Sequence, residues 1–288
     1  MKHLNLFIEL TRLNKPTGYM LLFWPCLWGL TLVYDFNNEI YTFAKYLIFF
    51  LLGSIFMRSA GCIVNDIVDK KFDKKVERTK KRPIASGQVS TNLALFYTLV
   101  LCFSAFLVLI NFNLLTIILA LASMPFAFTY PLMKRFTYWP QLFLGITFNF
   151  GLILAWTSVN NNISIIPILL YFGAIFWTLG YDTIYGYQDI KDDEIIGVKS
   201  TSIKFKNNPK SFLILCYSIF FISLILVGVL VKFSNIFYLT LAITFLHLFF
   251  YQIKFLNTKI PENCMKIFKS NNVLGLMVLS NIIFGKLF

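Results

Sequence analysis

Acidic side chains are scarce in this chain: 13 Asp and Glu among 288 residues, against 26 Lys and Arg. Charged residues of both signs make up only 14%, where a soluble domain carries about 25%. That shortage excludes an ordinary soluble protein. Histidine is nearly absent, with only His3 and His247. No HExxH pair and no Ser/His/Asp or Cys/His arrangement exists, which argues against zinc and serine hydrolases. The five cysteines (Cys26, Cys62, Cys102, Cys216 and Cys264) are odd in number and scattered, without a CxxC. They read as packing residues rather than a disulfide framework or zinc site. The opening stretch to Lys15 lacks the short apolar core and small-residue cleavage site of a removable signal, so the first membrane helix is expected to be retained.

Apolar residues are abundant instead. They reach 58%, with 18% aromatics and a mean hydropathy of +0.71. The expected fold class is all-α, a polytopic membrane protein forming a single domain over 1–288. A bilayer core takes about 20 apolar residues per helix. Nine such segments can be read, at 17–34, 46–68, 92–110, 114–131, 138–158, 163–185, 210–231, 235–253 and 270–287. Basic residues alternate with them. Lys2, Arg12 and Lys15 precede the first segment. Lys70, Lys71, Lys74, Lys75, Arg78, Lys80, Lys81 and Arg82 follow the second. Lys134 and Arg135 follow the fourth. Lys191, Lys199, Lys204, Lys206 and Lys210 follow the sixth, and Lys254, Lys259, Lys266 and Lys269 follow the eighth. These are 22 of the 26 basic residues. The positive-inside rule therefore puts the N-terminus in the cytoplasm. Lys45 and Lys232 fall to the opposite side. The net charge of +13 reads as topology and affinity for anionic lipid. No nucleic-acid partner is expected, because no RNP, zinc-finger or helix-turn-helix pattern accompanies it.

Seven of the 13 acids fall in two segments at the ends of apolar runs. A carboxylate beside a membrane helix is costly and marks a functional site. The first segment reads Asn65-Asp66-Ile67-Val68-Asp69-Lys70-Lys71-Phe72-Asp73. On a continuous helix Asp66, Asp69 and Asp73 share one face within about 60°, with Asn65 beside Asp69. Three carboxylates on one face repel unless a cation neutralises them. Oxygen donors favour hard cations, and Mg2+ binds through one or two carboxylates plus substrate phosphate. The second segment holds Asp182, Asp189, Asp192 and Asp193. Asp182, Asp189 and Asp193 fall in one arc if the helix continues past Gly186. Two facing clusters would hold a diphosphate through bridging Mg2+. Asp192 and Asp193 also fit a plainer reading, as solvated acids beside Lys191. Arg78 and Arg82 offer forks suited to diphosphate oxygens, although any one basic residue there also serves topology. Arg58 lies inside an apolar helix two turns before Asp66. It is expected to point into a polar cavity and pair with a carboxylate or an anionic substrate.

The stretch Arg58-Ser59-Ala60-Gly61-Cys62-Ile63-Val64-Asn65-Asp66 runs on through Asp69 and Asp73 to Glu77-Arg78-Thr79 and Arg82-Pro83-Ile84-Ala85-Ser86-Gly87. With Tyr181-Asp182-Thr183-Ile184-Tyr185-Gly186-Tyr187-Gln188-Asp189, it resembles the UbiA superfamily of intramembrane aromatic prenyltransferases. The opening Arg12-Leu13-Asn14-Lys15-Pro16-Thr17-Gly18 is most similar to the branch that prenylates 4-hydroxybenzoate in ubiquinone synthesis. The resemblance is specific over roughly residues 10–205. It implies nine transmembrane helices around a central cavity, in a bacterial or mitochondrial inner membrane. It also implies Mg2+ as cofactor, with a polyprenyl diphosphate and 4-hydroxybenzoate as substrates. Asp66, Asp69, Asp73, Asp182 and Asp189 would be catalytic and, with Asp193, would hold the metal. Asn65 would orient a ligand, and Arg78 and Arg82 would stabilise the departing diphosphate. Arg58, Lys134 and Arg135 are alternatives for the acceptor carboxylate. Lys199 would contact substrate, while Tyr185, Tyr130 and Tyr19 would face the allylic cation. One departure is Gly186, where that branch is expected to carry alanine. Another acceptor, such as a naphthoquinone precursor, is a variant of the same reading. An ion transporter is disfavoured because the acids cluster at helix ends rather than at the midplane.

Overall fold

The computed structural model describes residues 2–34 and 40–288, and among these it is helical without strands. The elements are α1 (Lys2–Thr11), α2 (Thr17–Val33), α3 (Ile40–Val68), α4 (Lys70–Asp73), α5 (Thr91–Leu109), α6 (Leu114–Thr129), α7 (Met133–Phe136) and α8 (Pro140–Asn149). They continue as α9 (Gly151–Asn160), α10 (Ile165–Gly186), α11 (Ile190–Ile196), α12 (Thr201–Lys204), α13 (Pro209–Val231), α14 (Asn235–Phe245) and α15 (Pro261–Leu287). A 3₁₀ turn (Tyr130–Leu132) joins α6 to α7, and a π-helical stretch (Leu246–Lys254) extends α14. Local chemistry sets many of the starts. Proline, which has no amide to lose, opens α8, α13 and α15. Side-chain oxygens of Ser90, Asn113, Ser164 and Ser200 accept first-turn amides of α5, α6, α10 and α12.

Among the described residues eight helical stretches are long and apolar enough to cross a bilayer. α2 is apolar too, but has 17 residues, about 26 Å at the usual rise. All nine apolar segments read from the sequence are therefore helical, with some shifted limits. α3 begins at Ile40, which puts Lys45 inside a helix rather than in a loop. α15 begins at Pro261, nine positions before the hydropathy signal, because Glu262, Asn263, Lys266 and Lys269 dilute its first turns. α1 was not foreseen. It is too short to span, and Leu6, Phe7 and Leu10 pack it on Ala60, Ile63 and Ala94.

The largest apolar cluster joins α2, α9, α10, α13 and α15 around Trp28, Trp177 and Phe220. Trp28 and Trp177 lie 5.0 Å apart, and Trp177 stacks on Phe220 at 5.8 Å. A Cβ at Gly29 would lie 2.4 Å from the Leu152 carbonyl oxygen, so α2 and α9 approach as closely as glycine permits. Several buried polar groups in this core are paired. Asn271 Oδ1 accepts from Trp177 Nε1 (2.8 Å) and Gln252 Nε2 (3.1 Å), and Gln252 Oε1 accepts from Tyr217 (2.6 Å). The π-helical turn carries Gln252 into that network. The result is a rigid wall behind α10, the helix that presents Asp182.

Candidate active site

α3 and α10 end at one mouth of the bundle, and a cavity of about 840 Å³ opens there. Asn65, Asp66, Asp69 and Asp73 line one wall, with Asp182, Tyr185, Asp189 and Asp193 on the other. Arg58, Arg78, Arg82, Lys134 and Lys199 line it as well. The two acidic segments, more than 100 positions apart in the chain, thus share one space.

The first segment is not one helix. α3 stops at Val68, and Asp69 bends the chain (φ −90°, ψ 1°) into α4. The amide of Asp69 still bonds to Asn65 O at 2.9 Å and that of Asp73 to Asp69 O at 2.8 Å. The turn thus keeps all three aspartates on the cavity despite the break. The second segment breaks similarly. α10 ends at Gly186 and α11 begins at Ile190, with Asp189 (φ −111°, ψ 7°) between them. A continuous helix through both segments is therefore corrected to helix–turn–helix. Gly186 has a local reason. An added Cβ would lie 2.3 Å from Ser202 Oγ, and that hydroxyl donates to Thr183 O at 2.8 Å. Glycine at 186 lets α12 dock on α10. The docking is completed by a 2.6 Å hydroxyl pair between Thr183 and Thr201 and by Gln141 Oε1 accepting the Thr201 amide.

The buried carboxylates are turned onto cations. Asp66 Oδ1 accepts from Arg12 at 2.5 Å and Arg82 at 3.0 Å, and Arg82 also donates to Asp73 at 2.9 Å. Lys134 pairs with Asp69. Arg78 grips both oxygens of Asp189 and reaches the Tyr185 hydroxyl at 3.2 Å. In a low-dielectric cavity an unpaired carboxylate is far more costly than a paired one. Burial still pushes the Asp69 carboxyl upward against the pull of Lys134. Burial and then the charge of Asp189 push Asp193 up to about 6.

Sequence reading missed Arg12. It lies 54 positions from Asp66, and its left-handed backbone (φ 57°) turns the α1 end toward the cavity. Only its place in the Arg-Leu-Asn-Lys-Pro-Thr-Gly opening hinted at a role. Two residues are not brought in. Arg135 donates to Val68 O at 2.9 Å, capping α3 from outside the cavity wall, because α7 points it at the helix end. Asp192 also falls outside the lining. Arg58 does line the cavity, but it makes no ion pair among the described residues. Its Nε is buried without a hydrogen-bond partner, and the guanidinium stands 5.3 Å over the Phe148 ring. Tyr19 and Tyr130 line the same space. Lys199 lines it while donating to Phe136 O at 3.2 Å.

Among the described residues no three carboxylates converge as ligands of one ion. The donor set nevertheless fits a hard cation. Asp69 Oδ1 is buried with no hydrogen-bond partner, and Asp182 accepts no hydrogen bond and forms no ion pair among the described residues. Such oxygen donors with open lone pairs suit Mg2+.

A bundle of membrane-length helices around a charged internal cavity is an integral membrane protein with a polar interior site. The chain belongs to the UbiA prenyltransferase family, whose model matches residues 22–281. It is 41% identical to the mitochondrial 4-hydroxybenzoate polyprenyltransferase of Bos taurus, over 98% of this chain and 75% of that one. It is 37% identical to the 4-hydroxybenzoate octaprenyltransferase of Nitrosomonas eutropha, over 98% and 96%. Among solved structures, the apo UbiA homolog from Aeropyrum pernix K1 superposes with a TM-score of 0.74 at 22% identity, covering 93% of this chain and 97% of that one. The Archaeoglobus fulgidus homolog bound to GPP and Mg2+ gives 0.71 at 15%, covering 98% and 99%. These two likenesses concern the fold.

Proposed function

We propose that this protein transfers a polyprenyl group from polyprenyl diphosphate to 4-hydroxybenzoate, ortho to the hydroxyl, with the whole chain 1–288 acting as one domain in an inner membrane. One observation carries the reading. Opposed carboxylates and guanidiniums share a single cavity, in a chain about 40% identical over its full length to proteins named for that reaction. The basic loops beside the cavity mouth make that face cytoplasmic.

Arg78, Arg82, Arg12 and Lys134 now hold carboxylates and are placed to hold diphosphate oxygens. Asp66, Asp69, Asp73, Asp182, Asp189 and Asp193, with Asn65, are the residues that would hold Mg2+. Bound there, Mg2+ supplies charge stabilisation to the leaving diphosphate. As the allylic C–O bond breaks, Tyr185, Tyr130 and Phe148 offer ring faces to the cation. The acceptor ring forms the new C–C bond and loses a proton to regain aromaticity. Arg58 orients the acceptor through its carboxylate, in a pocket floored by Phe148 and Gly18. Surrounding apolar helices exclude water that would quench the cation.

The test is a membrane assay with radiolabelled 4-hydroxybenzoate and a polyprenyl diphosphate, with and without Mg2+, for the native protein and Asp66→Ala. A lipid-soluble product that requires both Mg2+ and Asp66 supports the reading. A folded protein that makes no product at any chain length sinks the acceptor. Undiminished product from Asp66→Ala sinks the site assignment.

A further inference from the structure

A second cavity lies apart from the first, between the start of α13 and the end of the π-helical stretch. It measures about 430 Å³ and is lined by Pro209, Lys210, Lys254, Phe255 and the turn Leu256–Lys259. We propose that this cavity binds the phosphate headgroup of an anionic glycerophospholipid.

Charge is the first argument. Three lysines, Lys210, Lys254 and Lys259, border the space, and no acidic residue lines it. Elsewhere on the same face lysines take the acids within their reach: Lys80 pairs with Glu77, Lys206 with Glu194 and Lys134 with Asp69. Among the described residues no carboxylate pairs with Lys210, Lys254 or Lys259. Glu262 follows closely in sequence, yet it does not line the cavity. Three like charges converging without a counter-charge repel one another, and an anion between them relieves that repulsion.

Backbone polarity adds to it. α13 has 23 residues, and Asn208 before it makes no side-chain capping bond. The positive end of a long helix is thus left uncapped at the cavity edge. Thr258 and Asn257 supply further polar groups to the lining.

Position decides the source of the phosphate. Lys210 is the second residue of one membrane-length helix, and Lys254 is the last residue of another. The lysines therefore sit at the boundary where headgroups lie. Phe255 is 62% exposed and Ile260 is 46% exposed beside them, apolar flanks that suit acyl chains rather than a free ion. Basic pockets between membrane helices on the cytoplasmic side recognise anionic headgroups in this way. The turn also leads into α15, whose Met265, Phe268 and Lys269 line the catalytic cavity. A bound headgroup would hold the start of that helix in place.

Native mass spectrometry of the purified full-length protein, titrated with phosphatidylglycerol, tests this. Phosphatidylcholine serves as the zwitterionic control. Each of Lys210→Gln, Lys254→Gln and Lys259→Gln is expected to weaken phosphatidylglycerol binding about fivefold, the factor matching ~1 kcal/mol per lysine. The triple variant is expected to lose roughly a hundredfold on the same basis. Tens of millimolar inorganic phosphate should leave the lipid bound. Three results would overturn the proposal. One is a triple variant within twofold of native. Another is an equal loss from Lys71→Gln/Lys74→Gln/Lys75→Gln, which removes three exposed lysines elsewhere. The third is full displacement by inorganic phosphate, which would make this a free-anion site. The single variants keep the loop basic, so a changed membrane topology cannot imitate their graded effect.

Discussion

Arg58 gives the sharpest test of the acceptor assignment. Its guanidinium lies inside α3, makes no ion pair among the described residues, and leaves Nε buried without a partner. Gly18 fits so closely that an added Cβ there would sit 2.9 Å from that nitrogen. A cation in this position contributes nothing to folding by pairing; it is held ready for an anion. Replacing it with glutamine removes one charge-assisted contact to the acceptor carboxylate, worth about 1.5–3 kcal/mol. KM for 4-hydroxybenzoate should therefore rise roughly ten- to a hundredfold. KM for the polyprenyl diphosphate should stay within about twofold, since Arg12, Arg78, Arg82 and Lys134 are untouched. Thermal stability in detergent should not fall, because the substitution deletes an uncompensated buried charge rather than breaking a pair. Arg58→Lys keeps the charge without the planar fork and should fall between. Steady-state kinetics with each substrate varied, beside a melting curve, decides the matter. A variant that melts several degrees lower while its acceptor KM is unchanged would refute the reasoning and make Arg58 a structural cation.

Two further predictions concern the scaffold and the charge of the cavity rim. In Gly173→Ala the new Cβ would fall 1.7 Å from Ser223 Oγ and 2.6 Å from Ser223 Cβ. Overpacking of that kind between α10 and α13 should cost about 1–3 kcal/mol, and adding Ser223→Ala should recover part of it. An unchanged melting temperature for Gly173→Ala would contradict the close packing. Asp193, raised to about 6 by burial and by Asp189, binds its proton more tightly folded than unfolded. In EDTA its contribution to stability should therefore decline as pH climbs from about 4 to 6. Asp193→Asn should stabilise the protein at pH 7 but hardly at pH 4, and an equal gain at both would discard this origin.

What the sequence revealed, and what it hid, divides by the range of the interaction. Membrane helices were legible because their signal is local and repeated. Hydropathy marked all nine apolar segments, but fell short at the start of α3, around Lys45, and at the start of α15, where Glu262, Asn263, Lys266 and Lys269 share the first turns. The carboxylates were legible because an acid in apolar surroundings is rare. Their register was less so. A single helical wheel through Asp66, Asp69 and Asp73 overlooked the bend at Asp69, which nothing in Val-Asp-Lys-Lys announces. Pairings were hidden altogether. Arg12 looked like a topology signal, and only folding brings it to Asp66. Arg135, adjacent to Lys134, looked equivalent to it, yet the two side chains leave α7 in different directions and only Lys134 enters the cavity. The π-helical turn at Leu246–Lys254 has no sequence signature beyond the buried Gln252 that it serves.

The pairings also constrain how the cavity must respond to its ligands. Arg82 bridges Asp66 and Asp73 while Arg78 occupies both oxygens of Asp189, so the cations suited to a diphosphate are already committed to carboxylates. A diphosphate entering alone would draw those cations away and leave aspartates buried without a counter-charge, a state that costs several kcal/mol per ion. A divalent cation entering alone would displace the same arginines into a low-dielectric space with no anion to meet them. If both entered together they would exchange partners: the guanidiniums would meet phosphate oxygens, and Asp66, Asp73 and Asp189 would be free to hold Mg2+. Tight binding of either ligand would therefore presuppose the other, and by linkage the coupling would be equal in both directions. Pairing opposite charges within one cavity would steady the resting site and favour the reactive complex only when both ligands are present.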